Sequence, residues 1–201
     1  MAATQQRAGN GRRTRNAQRT TREAILDRAV DLASEEGLEG LTIGRLASEM
    51  QMSKSGIFGH FGSKEELQLA TIGAAARRFV DEVVAPVGDR EPGAERLRAL
   101  CDRYIGYLEA RVFPGGCFWA SAAAEFDSRP GPVREAVREQ VGAWLAGLES
   151  EAREAGLQDP AQLAFELHAL AQGANTAFQL FGDREAFGRA RTAIQRALAA
   201  A

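Results

Sequence analysis

The chain has 201 residues, 45% hydrophobic and 26% charged, which is enough for one or two domains with a real core and ordinary for a soluble protein. No apolar run nears the roughly 18 residues of a membrane span, and the N-terminus lacks the apolar segment of a secretory signal. Two cysteines, Cys101 and Cys117, supply neither a disulfide framework nor zinc-ligand spacing, so a reducing cytoplasm, no membrane, no metal and no cofactor are expected.

The net charge of −2 hides an asymmetry. Residues 1–22 carry Arg7, Arg12, Arg13, Arg15, Arg19 and Arg22 and no acid, leaving 19 basic against 27 acidic residues in the remainder. A basic arm on an acidic body points to a polyanion as partner; a solvated tail has the same composition. Residues 1–19 have no apolar periodicity and read as a disordered arm.

From there the chain reads as helix throughout, an all-α protein without sustained period-2 alternation. Thr20 and Glu23 form a capping box, Ile25, Ala29, Leu32 and Ala33 give one apolar face, and Gly37 ends the first helix. Thr42 caps a short helix with Ile43, Leu46, Ala47 and Met50 at helical spacing. After "QMS" a third helix starts near Ser53. Ser63 and Glu66 then open a long helix that Pro86 and Gly88 stop. Further helices are predicted near 92–111, 115–127, 131–155, 160–181 and 184–199.

The run "SKSGIFGHFGSKEEL" raises the question of a phosphate-binding loop. The nucleotide-hydrolase pattern needs a preceding strand and a lysine directly after its last glycine, whereas Ser63 separates Gly62 from Lys64. The glycines at 56, 59 and 62 also miss the dinucleotide spacing. The flanks give a better reading. Residues 42–61 form a short helix, a tight turn and another short helix, with Ile57 and Phe61 anchoring the second: a helix-turn-helix. Glycine at 56 and 59 suits a helix lying close against DNA, at a cost of about 1 kcal/mol each; packing within a bundle would also use glycine.

The ordered pattern "REAILDRAVDLASEEGLEGLTIGRLASEM" followed by "MSKSGIFGHFGSKEELQLA" resembles the DNA-binding domain of the tetracycline-repressor (TetR) family of bacterial regulators. The resemblance covers about a quarter of the chain. It implies a three-helix DNA-binding domain over 20–66 and a helical effector-binding and dimerisation domain over 67–201.

The resemblance makes Lys54–Phe61 the recognition helix. Ser53 would cap it, Lys54 would face phosphate, and Ser55 and Gly56 match positions that approach bases. Thr42, His60 and Lys64 are implied phosphate contacts. Phe58 stands where the family often has a tyrosine whose hydroxyl bonds phosphate, and Gly59 offers no side chain, so base readout by this helix looks sparse. Arg12, Arg13 and Arg15 of the arm are expected to compensate along phosphates or in a minor groove.

Aromatic residues gather in the second domain. There the resemblance implies a pocket for a small, apolar or aromatic effector, with Tyr104, Tyr107, Phe113, Cys117, Phe118, Phe126 and Trp144 as candidate contacts. Each also fits ordinary core packing, and Cys117 fits a thiol sensor as well as a buried core residue. Leu163, Leu167, Leu170, Ala174, Phe178 and Phe181 form one helical stripe and Phe187 and Ile194 belong to another. These are the expected interface of a homodimer that would read a near-palindromic operator; an intramolecular core would produce the same stripes.

The expected function is a ligand-released transcriptional repressor without enzymatic activity. Two alternatives stay open: an effector-independent DNA-binding regulator or activator, and an enzyme with Cys117 as nucleophile and His168 as base.

Overall fold

The structure, a computed structural model, describes residues 21–201. Arg12, Arg13 and Arg15, the rest of the arm, and Thr20 of the first capping box lie outside the described residues. Among the described residues there is helix and loop and no strand.

Helix α1 occupies residues 21–36 and buries Ile25, Ala29, Leu32 and Ala33 on one face. Helix α2 (Ile43–Glu49) is capped by Thr42, whose hydroxyl accepts the Arg45 N–H at 3.0 Å. Helix α3 (Lys54–Phe61) is capped by Ser53, which accepts the Gly56 N–H at 3.1 Å. Ser63 caps α4 (Lys64–Phe79) by accepting the Glu66 N–H at 3.0 Å. Each cap satisfies a first-turn N–H that has no partner within its own helix.

Helix α4 does not simply stop at Pro86. It widens into a π-helical turn (Val80–Val84) and tightens into a 3-10 turn (Ala85–Val87). The chain continues as α5 (Ala94–Glu109), α6 (Phe118–Phe126), α7 (Pro132–Glu154), α8 (Pro160–Phe181) and α9 (Glu185–Ala200). Helices expected from about 92 and 115 start two or three residues later. Gly93 (φ +124°) and Gly116 (φ +100°) hold left-handed backbone that a helix cannot include.

One buried cluster runs from Ile25 to Leu198, so no break in the core separates α1–α3 from the rest. Polar contacts reinforce the junction. Gln68 of α4 donates to the Leu38 carbonyl at 2.9 Å, and Arg78 of α4 pairs with Asp31 of α1 at 2.6 Å. Glu125 of α6 accepts the N–H groups of Leu38 and Glu39 at 3.1 and 2.7 Å. Gly115 donates its N–H to the Ser34 hydroxyl at 3.1 Å, in an approach so close that a side chain at 115 would overlap the Ser34 carbonyl.

The expected inter-subunit stripe on α8 and α9 is corrected by this packing. Leu163, Leu167, Ala174, Phe187 and Ile194 are buried in the chain's own core, with Leu170 and Phe178 packed against it. Phe178 meets Phe187 at 5.2 Å between ring centroids. Of the named residues only Phe181 is exposed. Helix α8 packs on α7 and α9, and the more hydrophobic face is the one those neighbours cover. A second, smaller-sided face of α8 looks outward: Phe165 (63% exposed), Ala169, Gly173, Thr176 and Leu180 (70% exposed) recur at helical spacing. On α9, Gly188, Thr192, Gln195 and Ala199 do the same.

Candidate functional site

Two regions carry features beyond packing: the outer face of α3, and a cavity enclosed by α4 to α8.

Helix α3 is fixed from below. Ile57 and Phe61 are fully buried, and the Arg22 guanidinium sits 5.1 Å from the centre of the Phe61 ring. The opposite face, with Lys54, Ser55, Phe58 and Gly59, is exposed, and Gly56 and His60 are half-buried. Phe58 is 54% exposed rather than packed within the domain, so a large apolar ring stands beside a glycine with nothing within 4 Å of its missing Cβ. Lys54 pairs with no acid among the described residues, and the Ser53 and Ser55 hydroxyls lie 3.2 Å apart at the helix start. The free N–H groups of that first turn and the lysine ammonium together make a positive, unhindered edge.

Other basic groups nearby are committed. Lys64 pairs with Glu39 at 2.9 Å. Arg45 lies between Glu36 and Glu49, at 2.9 and 2.8 Å. The Arg45 bond holds the Glu36 carboxyl below its usual range, and Arg45 followed by Arg28 does the same for Glu49. This acidic scaffold locks α1 to α2 and leaves Lys54 as the unpaired cation on the α3 face.

The cavity has a volume of about 360 Å³, within the range of small-molecule sites. Ala76, Phe79, Val80, Val84 and Val87 of α4 and its irregular extension form one wall. Leu100 and Tyr104 of α5, Trp119 of α6, Val141 and Trp144 of α7 and His168 of α8 form the others. Phe79 meets Tyr104, Trp119 and Trp144 edge-on at centroid distances of 5.9, 6.5 and 5.3 Å. Arg96 and Glu151 sit at one end as an ion pair. Burial works against the Glu151 charge, but the Arg96 bond and the Gly93 N–H outweigh it and hold the carboxyl below its usual range. Burial alone pushes the His168 imidazole down from its ordinary value.

Of the seven candidate contacts read from the sequence, Tyr104 and Trp144 line this cavity. Tyr107, Phe113, Cys117, Phe118 and Phe126 are buried in the surrounding core and are not part of its lining, a correction of the expected wall. Phe118 and Trp119 are adjacent on α6, and the helical turn between them puts Trp119 on the cavity and Phe118 behind it. Phe79, Trp119, His168 and the Arg96–Glu151 pair were not anticipated. The Ser63 and Glu66 capping box marks where α4 begins, but nothing in the mixed run "RRFVDEVV" marks its contribution to the cavity.

Cys117 and His168 are not joined by a hydrogen bond. The Cys117 sulfur lies 3.8 Å from the Tyr104 hydroxyl and 3.5 Å from the Gln172 amide, while His168 stacks on the Tyr104 ring. Burial, with Asp102 nearby, pushes the Cys101 thiol up to about 12, far from a reactive thiolate. No cluster of three His, Cys, Asp or Glu suited to a metal ion occurs among the described residues, and no described helix is long and apolar enough to cross a membrane.

An exposed recognition-type helix on a helix-turn-helix, joined by one helix to a largely apolar cavity, defines a DNA-binding transcription regulator. Residues 25–71 match the family model of bacterial regulatory proteins of the tetR family, and residues 93–194 match that of the tetracyclin repressor-like C-terminal domain. The chain belongs to the TetR family of transcriptional regulators. Solved structures share the fold. A TetR regulator from Chloroflexus aurantiacus J-10-FL is 23% identical with a TM-score of 0.83, and one from Streptomyces coelicolor is 24% identical with 0.78; both alignments cover 92% of this chain and 96% of the other. AibR, solved with isovaleryl coenzyme A and operator DNA, is 21% identical with a TM-score of 0.66, covering 86% of this chain and 95% of its own. No curated protein matches the chain.

Proposed function

We propose that the chain is a homodimeric repressor that binds a near-palindromic operator through α3 and is released by a small, apolar or aromatic effector in the α4–α8 cavity. The observation that carries the reading is the course of α4. It begins at Lys64, three residues after α3 ends, and runs about 18 Å before Ala76 to Val87 enter the cavity wall. A ligand that repacks Phe79, Val80 and Val84 therefore acts on the same rigid element that sets the position of α3. The π turn lies in that wall, and such turns are common where a helix must yield for function.

DNA contact falls to Lys54, Ser55, Gly56, Phe58 and Gly59, with Ser53 and Thr42 at the helix starts and His60 at the rim. Lys64 contributes only by exchanging Glu39 for phosphate. The arm with Arg12, Arg13 and Arg15 adds phosphate contacts. The division into residues 20–66 for DNA and 67–201 for effector and pairing follows, with α4 serving both.

Pairing is assigned to the outward faces of α8 and α9, where Phe165, Ala169, Gly173, Thr176 and Leu180 meet their counterparts in a second copy. Two α3 helices would then address successive major-groove faces. AibR, with both operator DNA and an acyl-CoA ligand, is an example of the same fold holding both partners. Effector release requires that the ligand favour the conformation that binds DNA poorly, by the free energy of coupling.

The test is binding to DNA carrying the protein's own upstream region, across a salt series, by the full chain. Sequence-dependent binding with two chains per site supports the reading. Affinity equal to that for random DNA on every fragment of a genome-wide selection removes it. Operator binding that no cavity ligand alters leaves an effector-independent regulator.

A further inference from the structure

The cavity wall holds one pair of formal charges, and that pair is closed upon itself. Arg96 gives its Nε–H to Glu151 Oε1 at 2.8 Å and an Nη2–H to the same oxygen, while Nη1 donates to the Arg90 carbonyl at 3.2 Å. Glu151 Oε2 takes the Gly93 N–H at 2.9 Å. All three guanidinium nitrogens and both carboxylate oxygens are engaged, and Glu151 is buried. An entering carboxylate would meet a guanidinium whose charge Glu151 already balances, so ligand and Glu151 would be two anions sharing one cation. An entering ammonium would likewise make two cations share the single Glu151 anion. Crowding like charges around a partly buried pair costs more than it does at an exposed surface.

Three neutral groups on the same wall have capacity to spare. The Gln140 amide bonds no described residue, and the Trp144 indole N–H and His168 Nδ1 are buried without partners. Burial disfavours a charged His168, so near neutral pH these groups offer dipoles and no formal charge. The indole N–H is a donor only and asks for an acceptor. Protein covers it as the side chains stand, so an acceptor on a ligand reaches it only if the indole turns toward the cavity.

We infer that the cavity selects an uncharged, largely apolar ring compound carrying a hydrogen-bond acceptor such as a carbonyl oxygen, and rejects carboxylates and ammonium ions of the same shape. This rests on the cavity being the effector site.

The experiment uses three probes of one shape: tetralone (ring plus carbonyl), tetralin (ring alone) and tetralin-2-carboxylate (ring plus anion). Calorimetry on the full chain gives affinities. Fluorescence locates binding, because the chain's two tryptophans, Trp119 and Trp144, both line the cavity. Tetralone is expected to bind about fivefold tighter than tetralin, as for one added net hydrogen bond. The carboxylate is expected to bind about 100-fold more weakly than tetralone. Glu151→Gln, which leaves Arg96 uncompensated, should strengthen carboxylate binding about tenfold; if that variant does not fold, the wild-type order decides alone. A carboxylate within about tenfold of tetralone, or tetralin equal to tetralone, overturns the inference and leaves a ligand site standing. No binding of any probe, with both tryptophans unmoved, overturns the effector reading itself.

Discussion

Glu125 on α6 accepts the backbone N–H of Glu39 at 2.7 Å, across 86 residues of sequence. Its other oxygen takes the neighbouring Leu38 N–H at 3.1 Å, so one carboxylate clasps the α1–α2 loop. Trp119, on the same helix, lines the cavity. The DNA-binding helices are thus held to the cavity not only by α4 in covalent continuity but also by α6 through this clasp. Glu125→Gln replaces one acceptor by an N–H₂ facing an N–H. The expected loss is about 1–2 kcal/mol of unfolding free energy, measured with urea, because charged acceptors contribute more than neutral ones. If the clasp also couples the domains, the same variant shows a smaller ligand effect on operator affinity.

Gly59 separates stability from DNA binding. A Cβ there meets nothing within 4 Å, so Gly59→Ala should raise helix stability by up to about 1 kcal/mol. If α3 lies against DNA on that face, operator affinity falls while the melting temperature rises. Both moving upward together would take Gly59 off the interface.

A charge on the outward face of α8 should undo pairing without unfolding the chain. Leu180 is 70% exposed and lies in the last turn, where a cation suits the helix dipole. Leu180→Arg is therefore expected to leave single-chain stability within about 0.5 kcal/mol and to convert a dimer to a monomer in sedimentation velocity. An unchanged sedimentation coefficient would move the pairing surface elsewhere.

Acid should weaken the fold in two separate windows. His168 has its imidazole pKa lowered by burial from 6.5, so the unfolded chain takes up a proton that the folded chain refuses. Stability from this source is complete above that value and declines as pH falls below it. The carboxyls of Glu36, Glu49 and Glu151 are held below 4.5, and their contribution is lost only as pH falls through that lower range. Urea midpoints at about pH 7.5 and about pH 5.5 should differ for wild type and converge for His168→Phe. An equal drop in both proteins would assign the loss to other groups.

The DNA-binding half was legible because its signals are local. Thr42, Ser53 and Ser63 announce three helix starts within 22 residues, and each caps by its own side chain. The cavity was not, because its walls come from five helices whose mutual rotation no local period records. Adjacent Phe118 and Trp119 have similar sequence credentials and opposite roles. The α8 stripe misled for a related reason: the helix has two usable faces, and hydrophobicity singles out the inner one with Leu163 and Leu167. The outer face, built around Ala169, Gly173 and Thr176, is visible only once the inner face is covered.

If the outward face of α8 pairs as proposed, the exposed Phe165, Leu180 and Phe181 also make stability a matter of dose. A chain that shelters these side chains only by pairing draws part of its folding free energy from mass action, so its melting temperature climbs with protein concentration. At the few copies a cell keeps of a regulator, newly made chains meet slowly and spend longer with that surface uncovered. Scarcity then sets how long such a chain survives before it can act.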